Sequence, residues 1–327
     1  MQKKVKLITG ACGEIGQALM KEFSKEHLIT IDLNKISSSY ANHRHIVGSI
    51  LDNDLLDEIN NQYQIDEIYH LAAVLSTKAE QNPQLAHDVN VNGTNNLYNL
   101  SLYQIQKYNQ PLKFFFPSSI AIYNLIGNNT IDKINENQYC DNPYTVYGQS
   151  KLLCEKNGIN YAKSINNFDF RCIRFPGIIS SETMPSGGTS DYASEIIHAA
   201  INNNKYSCFV KDETKLPFIV MPDAIVAIIK LMNVRKNQLN QHIYNITSFS
   251  PTAQDLINKI KEYNANFNID FNIDNDRQNI VDSWPSDVDD LLAKNDWGWE
   301  ALYNFNNAFS NYLIPNLYKK YNIKRNV

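Results

Sequence analysis

The sequence lacks the closely spaced cysteines that mark metal sites and redox motifs. Its five cysteines, Cys12, Cys140, Cys154, Cys172 and Cys208, are far apart. An odd number of separate thiols is typical of a reducing compartment. The seven histidines are scattered as well, so no zinc site can be assembled. We therefore predict a protein without disulfides and without a bound metal.

Long apolar runs and a strong excess of one charge are also missing. The longest apolar stretch, residues 218–232, is interrupted by Pro222, Asp223 and Lys230, which excludes a membrane span. No apolar core of a signal peptide precedes the first glycines. The net charge of −4 comes from interspersed acids and bases and indicates neither nucleic acid nor an anionic membrane as a partner. We expect a cytoplasmic, globular protein.

A short segment with regularly spaced glycines, KLITGACGEIG, stands at residues 6–16. Gly10 is suited to a tight turn, Gly13 to close backbone approach, and Gly16 to packing of a helix on a strand. An apolar strand precedes the segment, a helical pattern follows it, and Asp32 closes the next strand. This order favours dinucleotide binding, with the pyrophosphate at the helix N-terminus. The alternative is a glycine-rich turn that binds nothing.

Strands and helices alternate through the first half of the chain, which is typical of a doubly wound parallel sheet. We predict strands at 5–9, 28–33, 45–48, 67–73, 112–117 and 170–175, and helices at 18–23, 54–63, 83–108 and 144–162. The pattern then loosens, with helices at 190–202, 222–232, 252–263 and 305–318 and strands at 243–247 and 269–273. The predicted fold is α/β: a Rossmann-type NAD-binding domain over 1–175, to which 217–247 returns, and a smaller, mainly substrate-binding lobe over 176–327.

Tyr147 and Lys151 stand four residues apart and therefore share one face of a predicted helix. The pKa of a phenol is near 10, and a nearby ammonium together with a positive nicotinamide would lower it. Tyr103 and Lys107 repeat the spacing, but only Tyr147 follows the strand that ends at Ser119. We predict that Tyr147 is the general base and that the Ser119 hydroxyl binds the reacting oxygen. A serine after a strand can also be a plain turn cap.

The segments TGACGEIG, PSSIAIY and YGQSK, in this order, resemble the extended short-chain dehydrogenase/reductase superfamily. The resemblance implies that Asp32 binds the adenosine ribose and Lys151 the nicotinamide ribose. An acid at Asp32 favours NAD, since it would repel a 2′-phosphate. Ser49 is a departure, because many members have an acid near the adenine. The predicted NAD-binding residues are Gly10, Cys12, Gly13, Glu14, Ile15, Gly16, Asp32, Leu33, Ser49, Ile50, Leu71, Ala72, Ala73, Asn90, Tyr147, Lys151 and Ile178.

Motifs in the second half, RFPGIIS, PSGGTSDYA, DSWP and DWGW, resemble the short-chain family of L-threonine 3-dehydrogenases. The resemblance covers nearly the whole chain. It implies that the protein oxidises the β-hydroxyl of L-threonine with NAD to 2-amino-3-oxobutanoate. It also implies a homodimer formed through the two long helices at 83–108 and 144–162.

A small zwitterionic substrate requires donors for its carboxylate and a surface for its ammonium or methyl end. Ser76, Gly188 and Thr189 are candidates for hydroxyl and helix-end N–H donors. Trp284 offers an aromatic face. With Ser119 and Tyr147 these residues form the predicted substrate site. Each also has an ordinary structural role open to it, as a cap, a loop residue or a core residue.

Two other functions are consistent with the cofactor motifs. A nucleotide-sugar epimerase or dehydratase on this fold would need arginines in the lobe to bind a diphosphate. This chain has Leu216 near the position where such enzymes often have one of these arginines, and it has Pro176 and Gly177 where many of them have an asparagine. A non-catalytic NAD-sensing protein would need neither Tyr147 nor Lys151. The zinc-dependent threonine dehydrogenases have a different fold and ligand clusters that this sequence lacks.

Overall fold

The computed structural model of the chain describes residues 4–36, 40–127, 133–184 and 188–323. The chain forms two compact units. The first unit comprises Met1–Ser119, Val146–Arg174 and Ile225–Tyr244, and the second comprises Ile120–Thr145, Phe175–Ala224 and Asn245–Val327. The chain thus passes between the units several times, and residues 120–145 cluster with the second unit. In PSGGT, the predicted glycine-rich turn, residues 185–187 lie outside the described ranges.

The helices and strands alternate along the first half of the chain. The strands are β1 (Lys4–Thr9), β2 (Leu28–Asp32), β3 (His43–Val47), β4 (Gln64–His70), β5 (Leu112–Ser119), β6 (Phe168–Phe175), β7 (Gly177–Ile179), β8 (Tyr206–Cys208), β9 (Phe218–Val220), β10 (Ile243–Asn245) and β11 (Ile269–Phe271). The helices are α1 (Glu14–Glu22), α2 (Asn53–Gln62), α3 (Ser76–Gln81), α4 (Pro83–Ala86), α5 (Gly93–Tyr108), α6 (Val146–Ser164), α7 (Tyr192–Ile201), α8 (Met221–Asn233), α9 (Ala253–Lys261), α10 (Asn275–Asp282), α11 (Leu291–Trp297), α12 (Phe305–Asn307) and α13 (Ile314–Lys320). None of the helices in the described ranges is long and apolar enough to cross a membrane.

A seven-stranded parallel sheet forms the centre of the first unit, with strand order β10-β6-β5-β4-β1-β2-β3. The chain fills one side of the sheet with β2 and β3 and then returns to the other side of β1 with β4. Leu7 pairs with Ile29 on one side and with Ile68 on the other. All three side chains are buried, as expected when both faces of a parallel sheet are covered. The predicted Rossmann-type fold is confirmed.

Helices α5 and α6 are fixed to the sheet by an aromatic cluster. The ring centroid of Tyr98 lies 4.8 Å from that of Phe114, and Phe168 and Phe170 extend the cluster along β6. The Tyr98 hydroxyl donates to the backbone carbonyl of Cys154 on α6 (2.9 Å), so this buried phenol has a hydrogen-bond partner. The position of α6 on the sheet is therefore set by packing along its length.

The predicted elements exist, although several differ in their bounds. The expected single helix at 83–108 consists of α4, a π-helical segment at His87–Asn92, and α5. No periodic pattern of apolar residues indicated α10, since the helix is short and its first residues are polar. Its N-terminus is nevertheless well capped, because the Asp274 carboxylate accepts the N–H groups of Asp276 and Arg277.

The second unit contains two small parallel strand pairs, β7–β9 and β8–β11. Its segments are joined through Asp223, a fully buried carboxylate at the start of α8. The carboxylate accepts the backbone N–H groups of Leu302 (2.9 Å) and Tyr303 (3.2 Å) and the hydroxyl of Ser248 (3.1 Å). Burial of a charged group is tolerated here because several donors satisfy it.

Two buried ion pairs involve β6: one joins the strand to α6, and the other lies within the strand. The guanidinium of Arg174 donates to both carboxylate oxygens of Glu155 on α6, at 2.9 and 2.7 Å, and both side chains are at most 4% exposed. Arg171 makes a similar two-point contact with Asp169, at 3.1 and 2.6 Å. Such pairs contribute little compared with apolar residues, but the loss of one partner leaves a buried charge.

We expect the substitution Arg174→Met to lower the free energy of unfolding by about 3–5 kcal/mol, because the Glu155 carboxylate would remain buried without its partner. Urea denaturation followed by circular dichroism measures the effect. The exposed pair Lys205–Asp270 supplies the control, since Lys205→Met should leave the denaturation midpoint unchanged. Equal effects of the two substitutions would contradict this interpretation of the Arg174 pair.

Candidate active site

The glycine turn between β1 and α1 has no room for a side chain at Gly10 or at Gly16. Gly10 has φ +69°, and a Cβ atom there would lie 2.6 Å from the backbone nitrogen of Ala72. A Cβ atom on Gly16 would lie 2.6 Å from the carbonyl oxygen of Gly10. Gly13 precedes α1 as its N-cap, so the first helical turn, whose N–H groups have no acceptor within the helix, follows it directly. Bare backbone at a helix N-terminus fits a pyrophosphate.

Asp32, at the end of β2, is bonded to the glycine turn. Its Oδ2 accepts the backbone N–H of Cys12 (2.9 Å), and its Oδ1 accepts the backbone N–H of Asn34 (2.9 Å). Burial, and then the nearby Asp32 carboxylate, raise the pKa of the Cys12 thiol to about 11. The thiol is therefore neutral near pH 7, and a carboxylate stands beside the turn with lone pairs left for a ribose hydroxyl.

The other residues predicted to bind the cofactor in the first unit lie at the carboxyl ends of strands. Leu71, Ala72 and Ala73 follow β4, and the backbone N–H of Leu71 donates to the carbonyl of Thr9 at the end of β1 (3.0 Å). Ser49 and Ile50 follow β3. Since the chain changes direction at β1 and β4, these ends border the position where open α/β sheets bind ligands. Glu14 and Ile15 begin α1, and Leu33, directly after β2, is 72% exposed.

Asn90, also predicted to bind the cofactor, is buried, and its side-chain amide is hydrogen-bonded within the protein. Its Oδ1 accepts the backbone N–H of Val74 (2.7 Å), and its Nδ2 donates to the carbonyl of Val74 (3.0 Å) and to the hydroxyl of Ser150 (3.3 Å). Asn90 thus connects the segment after β4 with α6. This contact positions Tyr147 and Lys151 relative to the glycine turn.

Tyr147 and Lys151 lie in the first two turns of α6. The Nζ of Lys151 is 5.6 Å from the centroid of the Tyr147 ring and donates to the backbone carbonyl of Pro117 (2.7 Å). Pro117 precedes Ser119, the last residue of β5, by two positions. The structure therefore brings the end of β5 next to the face of α6 that carries Tyr147 and Lys151.

Burial dominates the electrostatics of this pair. It lowers the pKa of Lys151 to about 8, against smaller opposing effects of Cys154, Cys172 and Glu155. It raises the pKa of Tyr147 well above its ordinary value. Lys151 alone therefore does not lower the pKa of the phenol, and a further positive charge is needed for a phenolate near neutral pH.

His70 forms a buried hydrogen-bonded chain that the sequence did not reveal. The Thr94 hydroxyl donates to the carbonyl of Asn90 and so accepts from Nε2 of His70 (2.8 Å), which leaves Nδ1 to accept from the Thr9 hydroxyl (2.8 Å). Burial, and then the charge of Lys151, lower the pKa of His70 to about 3. A neutral histidine thus joins β1, β4 and α5 directly beneath the predicted cofactor-binding residues.

The predicted substrate residues are divided between the two units. Ser76 is the first residue of α3 in the first unit and is buried. In the second unit, Thr189 is buried. The backbone N–H of Gly188 donates to the Asp191 carboxylate (2.7 Å), so this donor is already engaged within the protein. The carbonyl of Gly188 accepts from Arg277 (2.7 Å), a residue that sequence reasoning missed.

Trp284 lies directly beyond the C-terminus of α10 in the second unit and is 8% exposed. Its indole N–H has no hydrogen-bond partner within the described ranges. Ile178, the last residue of the predicted cofactor set, lies in β7 of the same unit. The tryptophans of DWGW, Trp297 and Trp299, pack against each other in the core, with ring centroids 5.8 Å apart.

Two features together define an extended short-chain dehydrogenase/reductase. One is a parallel sheet whose strand order reverses beside a glycine turn, and the other is a later helix that carries a tyrosine and a lysine one turn apart. The family model of the NAD-dependent epimerase/dehydratase family matches residues 6–247, and the chain belongs to that family.

Within this family the chain is similar to L-threonine 3-dehydrogenases. The mitochondrial L-threonine 3-dehydrogenase of Bos taurus is 33% identical over 299 residues, covering 90% of this chain and 78% of the bovine protein. A monomeric L-threonine 3-dehydrogenase from a metagenome, solved in its apo form, is 37% identical with a TM-score of 0.84, covering 95% of this chain and 98% of its own. The L-threonine dehydrogenase of Clostridium difficile is 30% identical with a TM-score of 0.87, covering 98% of each chain.

The lowered pKa of Lys151 predicts a change of stability with pH. Between about pH 8 and its ordinary pKa of 10.5, the unfolded chain binds more protons at this residue than the folded protein does. The free energy of unfolding therefore rises with pH across this window. We expect the difference between wild type and Lys151→Met, measured by urea denaturation without added cofactor, to change by about 2 kcal/mol in favour of wild type from pH 7.5 to pH 9.5. The same difference at both pH values would show that the ammonium is not buried.

Proposed function

We propose that this protein is an NAD-dependent L-threonine 3-dehydrogenase, which oxidises the β-hydroxyl of L-threonine to 2-amino-3-oxobutanoate. The observation that carries the proposal is the placement of Tyr147 and Lys151 on α6 against the end of β5, where Ser119 lies. The similarity to L-threonine 3-dehydrogenases over nine-tenths of the chain supports this choice of substrate.

The first unit fits NAD in two respects. Gly10 and Gly16 let the turn and α1 lie closer to neighbouring backbone than a Cβ atom would allow, and Gly13 leaves bare backbone at the N-terminus of α1, where a pyrophosphate would bind. Asp32 presents a carboxylate beside this turn, which suits the two ribose hydroxyls of NAD and repels the 2′-phosphate of NADP. Leu71, Ala72 and Ala73 border the turn at the end of β4, and Lys151 is assigned to the nicotinamide ribose.

In the proposed reaction, Tyr147 takes the proton of the substrate β-hydroxyl while the Ser119 hydroxyl donates a hydrogen bond to the same oxygen. The glycine turn, Asp32 and Lys151 would hold NAD, which would supply the acceptor for the hydride of the β-carbon and a positive charge. Lys151 contributes a second positive charge, since below about pH 8 its ammonium is mostly protonated. Both charges oppose the effect of burial on the Tyr147 phenol.

The substrate contacts proposed on chemical grounds are Ser76 and Thr189 for the carboxylate and Trp284 for the ammonium or methyl end, while the Gly188 N–H, also predicted for the carboxylate, bonds Asp191. The buried indole of Trp284 and the buried hydroxyl residue Thr189 are compatible with these roles. We further propose a cytoplasmic protein. A homodimer formed through the helices at 83–108 and 144–162 is proposed as well, to be checked by light scattering, since one of the similar proteins is a monomer.

The substrate assignment predicts that purified protein reduces NAD with L-threonine. D-threonine, L-serine and a UDP-hexose, tested in parallel, should each give less than about one tenth of the kcat/KM of L-threonine, because the loss of a fitted contact costs about 1–3 kcal/mol or more. Formation of 2-amino-3-oxobutanoate is followed through its decarboxylation product, aminoacetone. Turnover of the UDP-hexose without net NAD reduction would instead identify a nucleotide-sugar epimerase.

The role of Tyr147 predicts that Tyr147→Phe lowers kcat with L-threonine by about 10²–10⁴-fold, the range of general acid–base catalysis. NAD affinity, measured by fluorescence quenching, should stay within about threefold of wild type, because the ring remains. The control is Tyr103→Phe, which should keep wild-type turnover. The Nζ of Lys107 lies 5.5 Å from the centroid of the Tyr103 ring, so the same pair of residues is present, but on α5. Wild-type turnover by Tyr147→Phe would refute the assignment.

A further inference from the structure

The first turn of α6, which carries Tyr147, is bonded to a carboxylate from another helix. The backbone N–H of Tyr147 donates to Oε1 of Glu80 (3.3 Å), and the N–H of Val146 also bonds this carboxylate. The N–H groups at the start of an α-helix have no partner within the helix. Glu80, 67 residues earlier in the chain, thus accepts from N–H groups of this first turn.

Glu80 is suited to this position electrostatically. Burial raises its pKa, and the N–H groups of Tyr147 and Val146 oppose that shift. No lysine, arginine or histidine forms an ion pair with Glu80 within the described ranges. Its compensating charge is thus the positive end of the α6 dipole, which attracts a carboxylate most strongly at the first turn.

The same short helix also carries Ser76. Ser76 begins α3 and Glu80 lies four residues later, one turn further along. The segment before α3 is bonded to α6 as well, since the Asn90 amide joins Val74 to Ser150. Glu80 and Asn90 therefore attach both ends of the Ser76 segment to the helix of Tyr147. A helix of six residues is not stable alone, so contacts such as these help to hold α3 in place.

We propose that Glu80 is a positioning residue for Tyr147 and Ser76. Its carboxylate closes the first turn of α6, which fixes the direction of the Tyr147 side chain, and it holds the Ser76 segment against that turn. The inference rests on the proposed function, since it assigns Tyr147 as the base and Ser76 as a substrate contact. Reaction rates depend steeply on such geometry, because a displacement of about 1 Å can cost about 10²-fold in rate.

The experiment compares Glu80→Ala, which removes the acceptor, with Glu80→Gln, which keeps an oxygen at the same position. We expect Glu80→Ala to lower kcat with L-threonine at least about tenfold while KM for NAD stays within about twofold, and Glu80→Gln to recover most of the loss. Hydrogen–deuterium exchange at the start of α6 should become faster in Glu80→Ala and stay near wild type in Glu80→Gln.

A matched control removes a different helix cap. Thr252 accepts the backbone N–H of Asp255 (3.0 Å) at the start of α9 in the second unit. Thr252→Ala should lower stability by about 1 kcal/mol, as loss of a cap does, and leave kcat within about twofold of wild type. Equal losses of kcat in Thr252→Ala and Glu80→Ala would reduce Glu80 to a general stabilising residue and overturn the proposal.

The remaining outcomes separate the two hypotheses. An unchanged kcat or an unchanged exchange rate in Glu80→Ala overturns the positioning role. If wild-type protein is inactive with every substrate of the panel, the proposed function fails, and the role of Glu80 is then decided by the exchange measurement alone, which needs no substrate.

Discussion

The close approach of Gly10 to the backbone after β4 is the constraint on which the first unit depends. A Cβ atom at Gly10 would overlap the peptide that joins Leu71 to Ala72, so the turn after β1 can lie this close to the segment after β4 only because residue 10 is a glycine. The same turn receives the Asp32 carboxylate from β2, and α1 packs on it through Gly16. One backbone contact thus aligns three strands and a helix N-terminus. The bare backbone that we propose binds the pyrophosphate is a direct consequence of this alignment.

A second set of contacts connects the glycine turn to α6, the helix of the candidate base Tyr147, through buried polar groups. His70 joins β1, β4 and α5, and Asn90 continues from there to α6. All side chains in these hydrogen bonds are neutral, which avoids the cost of burying isolated charges. Lys151, which lies nearby on α6, is different. Its ammonium is buried against the Pro117 carbonyl and its pKa is lowered. An unfavourable charge is retained where the proposed chemistry requires one, which is typical of functional sites.

Features that depend on residues close in sequence could be predicted from the sequence. The glycine turn, Asp32 and the Tyr147–Lys151 pair follow rules of local geometry: tight turns, strand ends and helical spacing. The choice between Tyr147 and Tyr103 needed only the order of elements along the chain. Other features depend on distant segments. Asn90 was predicted as a cofactor contact, yet its amide bonds Val74 and Ser150, and no local pattern indicates that Glu80 meets the start of α6.

The sequence by itself therefore determined the family, the parallel sheet, the cofactor turn and the candidate base, because each depends on hydrophobic period, glycine spacing or residue order. The tertiary structure decided the protonation and placement of these groups. The pKa of Tyr147 is raised and that of Lys151 lowered by burial, which depends on all the segments packed around α6. Likewise, residues 120–145 cluster with the second unit although they lie between two segments of the first. Long-range packing sets these properties, and no single stretch of the chain encodes them.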